Sequence, residues 1–356
     1  MKNKTVFVGL SGGVDSAVSA ALLLEEGYEV VGVFIKTWHP YFLACNEEEE
    51  RLDAMRVAAS LNIPFLTFDL ELEYKKEVAD YMIKEYKAGR TPNPDVMCNK
   101  EIKFGAFLNK AVSMGADFVA TGHYARNILR EEKTLMRGLD PAKDQSYFLW
   151  TLRQEQLNRI LLPVGGLKKT YVRKMADKFG LPVAEKKDSQ GICFLGAVDL
   201  KEFLKHYIKS KRGSVLNETG REIGFHDGAV FYTLGERHGF TVTKKSSSDG
   251  AYYIVGKDVK KNILIVSKNK PDDLNKTIQP ASSYALEKTN WISALPIEKD
   301  KYTAQIRYHG EFLDCRIELM KQNKAMIYFD KFVQVASGQS CVLYKEDVCL
   351  GGGVVV

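Results

Sequence analysis

The 356-residue chain has no apolar run long enough to span a bilayer, and Met1-Lys2-Asn3-Lys4-Thr5 leads straight into a short apolar stretch with neither an apolar leader core nor an Arg-rich transit pattern. Those absences exclude a membrane-spanning helix and predict a soluble, cytoplasmic protein. The six cysteines, Cys45, Cys98, Cys193, Cys315, Cys341 and Cys349, are scattered, with no C-x-x-C pair and no Cys/His group at zinc spacing. A zinc site is excluded on that pattern, and a structural disulfide framework is a poor expectation in a reducing compartment. There is no internal repeat and no low-complexity tract; Ser246-Ser247-Ser248 reads as a short loop.

What is present suffices for real cores, since 45% of the residues are apolar and the length suits two or three domains. The net charge of +6 is unevenly spread. Residues 101–213 carry 21 Lys and Arg against 12 Asp and Glu, whereas residues 1–100 carry 11 against 16. Lys168, Lys169, Arg173, Lys174, Lys178, Lys186, Lys187, Lys209, Lys211 and Arg212 belong to that basic middle. On charge alone it fits a surface for a polyanion and an ordinary solvated helix face equally well.

The most informative motif is Ser11-Gly12-Gly13-Val14-Asp15-Ser16, between the apolar run Val6–Leu10 and the helical pattern from Asp15. Two glycines let backbone N–H groups close on an anion, the serines add hydroxyls, and a helix N-terminus adds partial positive charge. Asp15 makes sense beside phosphates if a cation sits between them. The motif lacks the Lys of a G-x-x-x-x-G-K-[ST] loop and the third Gly of a dinucleotide fingerprint, which argues against both of those nucleotide-binding classes. A plain strand-to-helix turn would need only one Gly and one capping Ser.

From Val6 to Thr121, short apolar runs alternate with helical patterns, which predicts an α/β fold with a parallel sheet covered on both faces. Residues 89–99 read as irregular because Pro92 and Pro94 block helix, and 130–144 reads as a second long loop. After about Gly213 the chain reads as Gly-punctuated strands, including Ala229–Tyr232. The alternating runs after Pro280 predict a small antiparallel barrel or sandwich.

Two further segments place cysteines in polar surroundings. In Thr91-Pro92-Asn93-Pro94-Asp95-Val96-Met97-Cys98-Asn99, a rigid loop delivers Cys98 to the start of a helix from Asn99, where the dipole would favour thiolate; the stiff polar loop argues against burial in a core. Asp188-Ser189-Gln190-Gly191-Ile192-Cys193-Phe194 brings a second Cys, and the two thiols together suit sulfur transfer or a catalytic disulfide. His123, in Thr121–Arg126, fits a hydrogen-bonded structural role as well as a catalytic one, and Gly122 would permit close approach of a nucleotide. Lys143, Asp144 and Gln145 fit a grip on phosphate and base edges, or a solvated turn.

With GLSGGVDS, RTPNPDVMCN, TGHYAR, KDQSYFL, DSQGICF, YTLGERHG and the closing CLGGGVV in order, the chain resembles the tRNA-specific 2-thiouridylases of the MnmA type, within the N-type ATP pyrophosphatases. The resemblance implies a Rossmann-like ATP pyrophosphatase domain over 1–199, a small mixed α/β tRNA-binding domain over 200–279 and a C-terminal antiparallel β-barrel over 280–356. It implies sulfur placed at C2 of the wobble uridine U34 in a tRNA anticodon stem-loop, with ATP and Mg²⁺, and a sulfur-carrier protein or cysteine desulfurase as persulfide donor. Gly9, Leu10, Ser11, Gly12, Gly13, Val14, Asp15, Ser16, Ile35 and Gly122 would bind ATP, with Asp15 a Mg²⁺ ligand directly or through water. Asn93, Pro94 and Asp95 would meet the target base; His123, Lys143, Asp144, Gln145, Arg307, Tyr308 and Gln339 would meet tRNA. Cys98 would be the nucleophile, Cys193 the persulfide carrier and Asp95 a general acid or base.

The segment Thr37–Asn46 departs from the family in being short and apolar where many members carry a longer acidic insert, which leaves the adenine-side contacts, Ile35 among them, open. Cys45 there suits packing better than chemistry. Two alternatives share some of these features: another ATP pyrophosphatase acting on tRNA, such as a 4-thiouridine or lysidine synthetase, and a non-catalytic RNA-binding or sulfur-carrier protein. Neither requires Asp15, Cys98 and Cys193 together.

Overall fold

The computed structural model describes residues 4–43, 46–188, 200–243, 250–269 and 282–356. Its first part is a parallel sheet built on five strands, β1 (Thr5–Gly9), β2 (Glu29–Lys36), β3 (Phe65–Asp69), β4 (Phe118–Ala120) and, after a hairpin of β5 (Ala125–Leu129) and β6 (Lys133–Arg137), β7 (Ile160–Leu161). The order is β3-β2-β1-β4-β7, so the chain reverses its direction of travel across the sheet between β1 and β4. That reversal opens the crevice at which such sheets bind ligands, beyond the carboxyl ends of the strands.

The short apolar runs form strands because both faces are covered. Val6 and Val8 pack with Val14, Ala17 and Val18 of helix α1 (Val14–Glu25) and with Val172 and Met175 of the helix Lys169–Lys178. Phe7 and Val33 face the other way, toward Val78, Met82, Phe104 and Phe107. Buried apolar residues of this kind stabilise by roughly 1.5–3 kcal/mol each, and the period of two assigns them to opposite layers.

A second sheet combines Gly213–Asn217, Glu222–His226, Thr241–Val242, Tyr253–Asp258 and Ile263–Ser267; Ile263–Ser267 runs parallel to Gly213–Asn217 and the other pairs are antiparallel. The helix Leu200–Tyr207 precedes it and buries Phe203 and Leu204. The third part is an antiparallel barrel of six strands, closed where Ser283–Trp291 pairs with both Lys324–Phe329 and Val348–Val355. Ile317, Ile327, Phe329 and Leu343 fill its interior. Closure removes the exposed strand edges that would otherwise pair with other chains. Among the described residues no helix is long and apolar enough to cross a membrane.

Several local expectations are corrected. Residues 130–144 are not one loop: they contain β6, and the β5–β6 hairpin extends the barrel sheet by pairing Met136 with Val348. Ala229–Phe231 is a 3₁₀ turn instead of a strand. Pro94 does not block helix but opens one, Pro94–Met97, which runs on through the wider π-helical stretch Cys98–Phe107 into Leu108–Ser113. Proline suits a first helical position, where its missing N–H would have had no intrahelical partner. Gly105 fits the π turn, since a Cβ there would stand 2.8 Å from the Lys100 carbonyl oxygen five residues back.

Candidate active site

The Ser11–Ser16 turn lies at the β1–β4 crevice. Gly12 takes the left-handed φ of +71°, and a Cβ there would overlap the Glu50 carbonyl oxygen, so glycine is required on both counts. Gly13 is the N-cap of α1 and supplies no side-chain bond to the first-turn N–H groups, which suits an external anion. Ser16 Oγ accepts from Ser11 N at 3.2 Å and donates to Gly13 O at 3.1 Å, which locks the turn. Leu10 and Val14 of the same motif are core residues packed under it. Ile35, near the end of β2, is partly buried against the opposite layer.

Gly122, just beyond β4, lies against the first turn of α1. A Cβ at this position would meet Asp15 C and Ser16 N at 2.7 Å, so what this glycine admits is the first turn of α1 itself. Two residues on, the phenol of buried Tyr124 donates to Asp15 Oδ1 at 2.7 Å. Burial, with Asp15 adding, pushes the Tyr124 hydroxyl up and keeps it a donor. Between them, His123 is buried, shares a 2.8 Å hydrogen bond with Thr121 Oγ1, and lies 5.8 Å from the Phe104 ring. Burial holds its imidazole well below the ordinary range and hence neutral.

A charged cluster completes this side. Lys169 Nζ lies 2.7 and 2.8 Å from the two Asp15 oxygens and 2.8 Å from Asp188 Oδ1. Asp188 also accepts from Lys143 Nζ at 2.7 Å and Arg173 Nη2 at 2.6 Å. Burial works against its charge, but the Lys143 and Lys169 ammonium groups outweigh this and hold its carboxyl at about 2. Sequence reading missed the roles of Tyr124, Lys169 and Asp188 here. Its one usable signal was a pair of lysines, Lys168 and Lys169, opening a helix whose first turn has no acid.

The Asn93–Cys98 segment differs from expectation. Asn93 Oδ1 accepts from Val96 N at 3.2 Å and caps the helix that starts at Pro94, so Cys98 stands in its second turn, not ahead of it. Cys98 is 3% exposed and packs with Phe104, Phe107 and Ile102, which corrects the inference that a stiff polar loop keeps it out of a core. The physical reason is the early helix start: five extra helical residues, Pro94 to Cys98, rotate the thiol onto the apolar face. Asp95 is partly buried, and burial raises its carboxyl above the usual range, with Lys103 opposing.

Tyr308 of the barrel reaches this region. Its ring is 4.4 Å from that of Phe148 and 6.4 Å from that of Tyr147, and burial, with the charges of Asp144 and Asp95 adding, pushes its hydroxyl up to about 12. Asp144 is directed inward: its oxygens accept from Gly138 N at 2.9 Å, Ser146 N at 3.0 Å and Arg137 Nε at 3.2 Å. Gln145 Oε1 accepts from Tyr124 N at 3.0 Å, leaving exposed-side Lys143 as the outward cation of the three. Arg307 and Gln339 line a cleft of about 290 Å³ between the barrel and Thr233–Gly235. Thr91 joins the three parts, with its N–H on Ser337 O at 2.8 Å and its hydroxyl 3.0 Å from that of Thr233. Cys193, with Ser189–Phe194, and Cys45 lie outside the described residues.

Comparison with known proteins covers nearly the whole chain. A family described as a tRNA methyl transferase HUP domain matches residues 4–197, its PRC-barrel domain matches 201–268, and an aminomethyltransferase beta-barrel domain matches 282–355. The tRNA-specific 2-thiouridylase MnmA of Geobacillus thermodenitrificans is 44% identical over 355 residues, covering 98% of this chain and 94% of that protein. The protein of the same name from Francisella tularensis subsp. novicida is 41% identical over 363 residues, covering 100% of each. Among solved structures, a U34-tRNA thiolase from Methanococcus maripaludis aligns over 58% of this chain and 68% of that one at 18% identity and a TM-score of 0.36, a likeness too slight to bear on the site.

Proposed function

Because the chain belongs to the tRNA-specific 2-thiouridylase family, we propose that it thiolates tRNA, replacing the C2 oxygen of wobble uridine U34 with sulfur after ATP has activated that oxygen. A uracil carbonyl oxygen is a very poor leaving group. Attack of that oxygen on the α-phosphorus of ATP expels pyrophosphate and leaves an adenylated oxygen that departs as AMP.

The residues at the β1–β4 crevice fit the phosphates of that substrate. Gly12 and Gly13 give the backbone room, the first-turn N–H groups of α1 have no capping side chain, and the Ser11 and Ser16 hydroxyls stand 3.3 Å apart beside them. Mg²⁺, carried on the phosphates, would neutralise the departing pyrophosphate, with Asp15 its carboxylate ligand directly or through water. Gly9 and Ile35 would lie toward the nucleoside.

Asn93, Pro94 and Asp95 would receive the target base, with Lys143, Gln145, His123, Arg307, Tyr308 and Gln339 on the tRNA side. Asp95, raised by burial, suits proton transfer at the base or a hydrogen bond to it. Sulfur would arrive as a persulfide on Cys193 from a sulfur-carrier protein or cysteine desulfurase. Attack of the Cys98 thiolate on Sγ of Cys193 releases the outer sulfur as sulfide and forms a Cys98–Cys193 disulfide. The sulfide adds at C2, AMP leaves, and a thiol reductant returns the disulfide to two thiols.

The observation that carries this reading is the Ser11–Ser16 turn at the strand-order reversal, with Asp15 fixed by Tyr124 and Lys169. The test is incubation of the purified chain with tRNA, ATP, Mg²⁺ and a persulfide source, followed by nucleoside analysis. We expect 2-thiouridine at position 34, together with AMP. No 2-thiouridine from reactants that work with a control enzyme would refute it.

A further inference from the structure

We propose that Lys103 donates a hydrogen bond to O4 of the target base and, with Asp95 at N3, selects uracil against cytosine. This rests on reading Asn93–Asp95 as the place that receives the base. Lys103 lies eight residues beyond Asp95 in one helical run, Pro94–Met97 continuing through the π-helical stretch Cys98–Phe107. Between 3.6 residues in an α turn and the wider π turn, eight residues make about two turns, so both side chains leave the same side of the run. Helical side chains lean toward the N-terminus, which carries the long Lys103 stem back toward Asp95. Its neighbours Ile102 and Phe104 are core residues, and the Phe104 ring lies 5.8 Å from that of His123. Burial governs the titration of Asp95 and of His123, and after it the Lys103 charge is felt at both.

Lys103 is half-buried, yet among the described residues its ammonium has no hydrogen bond and no ion pair. Lys100 of the same run, by contrast, pairs with Glu101 at 2.8 Å. The Asp95 carboxyl is half-buried too and has no hydrogen bond among the described residues. Taking an ammonium and a carboxyl partly out of water without partners costs free energy, and a ligand that supplies an acceptor and a donor side by side removes that cost. Uracil supplies them as O4 and N3–H. Cytosine presents the reverse at both atoms, an amino donor at C4 and an acceptor at N3, and would leave both groups unpaired.

The test measures C2 thiolation by the full chain, wild type, Lys103→Met and Lys103→Arg, on tRNA carrying uridine, 4-thiouridine or cytidine at position 34. Losing one hydrogen bond from a charged donor should slow Lys103→Met about 10- to 100-fold on uridine, with Lys103→Arg recovering part. Sulfur accepts hydrogen bonds poorly, so 4-thiouridine should slow the wild type several-fold and make no further difference to Lys103→Met. The preference for uridine over cytidine should shrink in Lys103→Met as well. An equal effect of 4-thiouridine on wild type and Lys103→Met overturns the proposal, because a lysine that only supports the fold would slow both tRNAs alike. Failure of the wild type to form 2-thiouridine overturns the tRNA reading instead. Should Lys103→Met not fold, amine acylation of the wild type followed by mass spectrometry decides. Modification of Lys103 is expected to slow with tRNA carrying U34 but not with the same tRNA abasic at that position, and equal rates with the two refute the assignment.

Discussion

Replacing Gly122 by alanine tests whether the crevice depends on close approach of α1 to the end of β4. The new Cβ would stand 2.7 Å from Asp15 C and Ser16 N and 2.9 Å from Asp15 Cβ. Ordinary contact begins at 3.4 Å, so the two segments must part by about 0.7 Å, and since two of the three atoms are backbone no rotamer change relieves them. Helix α1 cannot slide freely, because Val14, Ala17 and Val18 are locked against β1. Overpacking of this kind costs about 1–3 kcal/mol, while a glycine-to-alanine change recovers about 0.4–1 kcal/mol from the unfolded chain. With mid-range values of both, the net is a destabilisation of about 1–2 kcal/mol. Gly166→Ala is the control: nothing lies within 4 Å of its Cβ, so only the favourable part should remain. At about 2–4 °C per kcal/mol, scanning calorimetry should show Gly122→Ala melting roughly 2–8 °C below wild type and Gly166→Ala at or slightly above it. Displacement of Asp15 should also weaken ATP-analogue binding in Gly122→Ala alone. Equal melting of both variants, with analogue affinity kept, would refute the steric argument.

Three other outcomes are expected. Cys98→Ser and Cys193→Ser should each abolish 2-thiouridine formation and leave tRNA affinity within about twofold in a filter-binding assay; turnover by either variant removes that thiol from the mechanism. Asp188, held at about 2 against its usual 3.8, adds stability that is complete above about pH 4 and disappears as pH falls toward 2. Asp188→Asn should therefore lose stability relative to wild type at pH 5 but converge with it near pH 2 in urea titrations, and a constant gap would contradict the pairing. Binding of tRNA should weaken linearly on a log–log plot against salt, and Lys143→Ala should lower that slope by about one; an unchanged slope would show that Lys143 meets no phosphate.

Much of the site was legible in the chain because its chemistry is local. A strand, two glycines and a helix start lie within a dozen residues in Val6–Ala17, and their order alone marks a glycine turn between a parallel strand and a helix. Hydrophobic period likewise marked the strands of the first sheet and of the barrel. Where a residue's meaning depended on helix phase, reading failed. Pro94 reads as blocking helix but begins one, and that shift turns Cys98 from a loop thiol into a buried one.

The sequence by itself determined the α/β-then-barrel order, the strand-to-helix glycine turn and the family, since propensity, period and motif all act over short windows. Only the tertiary structure decided which distant groups gather at that turn: Tyr124 and Lys169 reach Asp15 from 109 and 154 residues further along the chain, and Asp188 pairs with Lys169. It also decided that Tyr308 of the barrel stands beside Phe148, and that the β5–β6 hairpin extends the barrel's sheet. Ion pairs and ring contacts between such segments have no local signature. They exist because burying Phe7 and Val33 on one face of the sheet and Val6 and Val8 on the other sets where each loop ends.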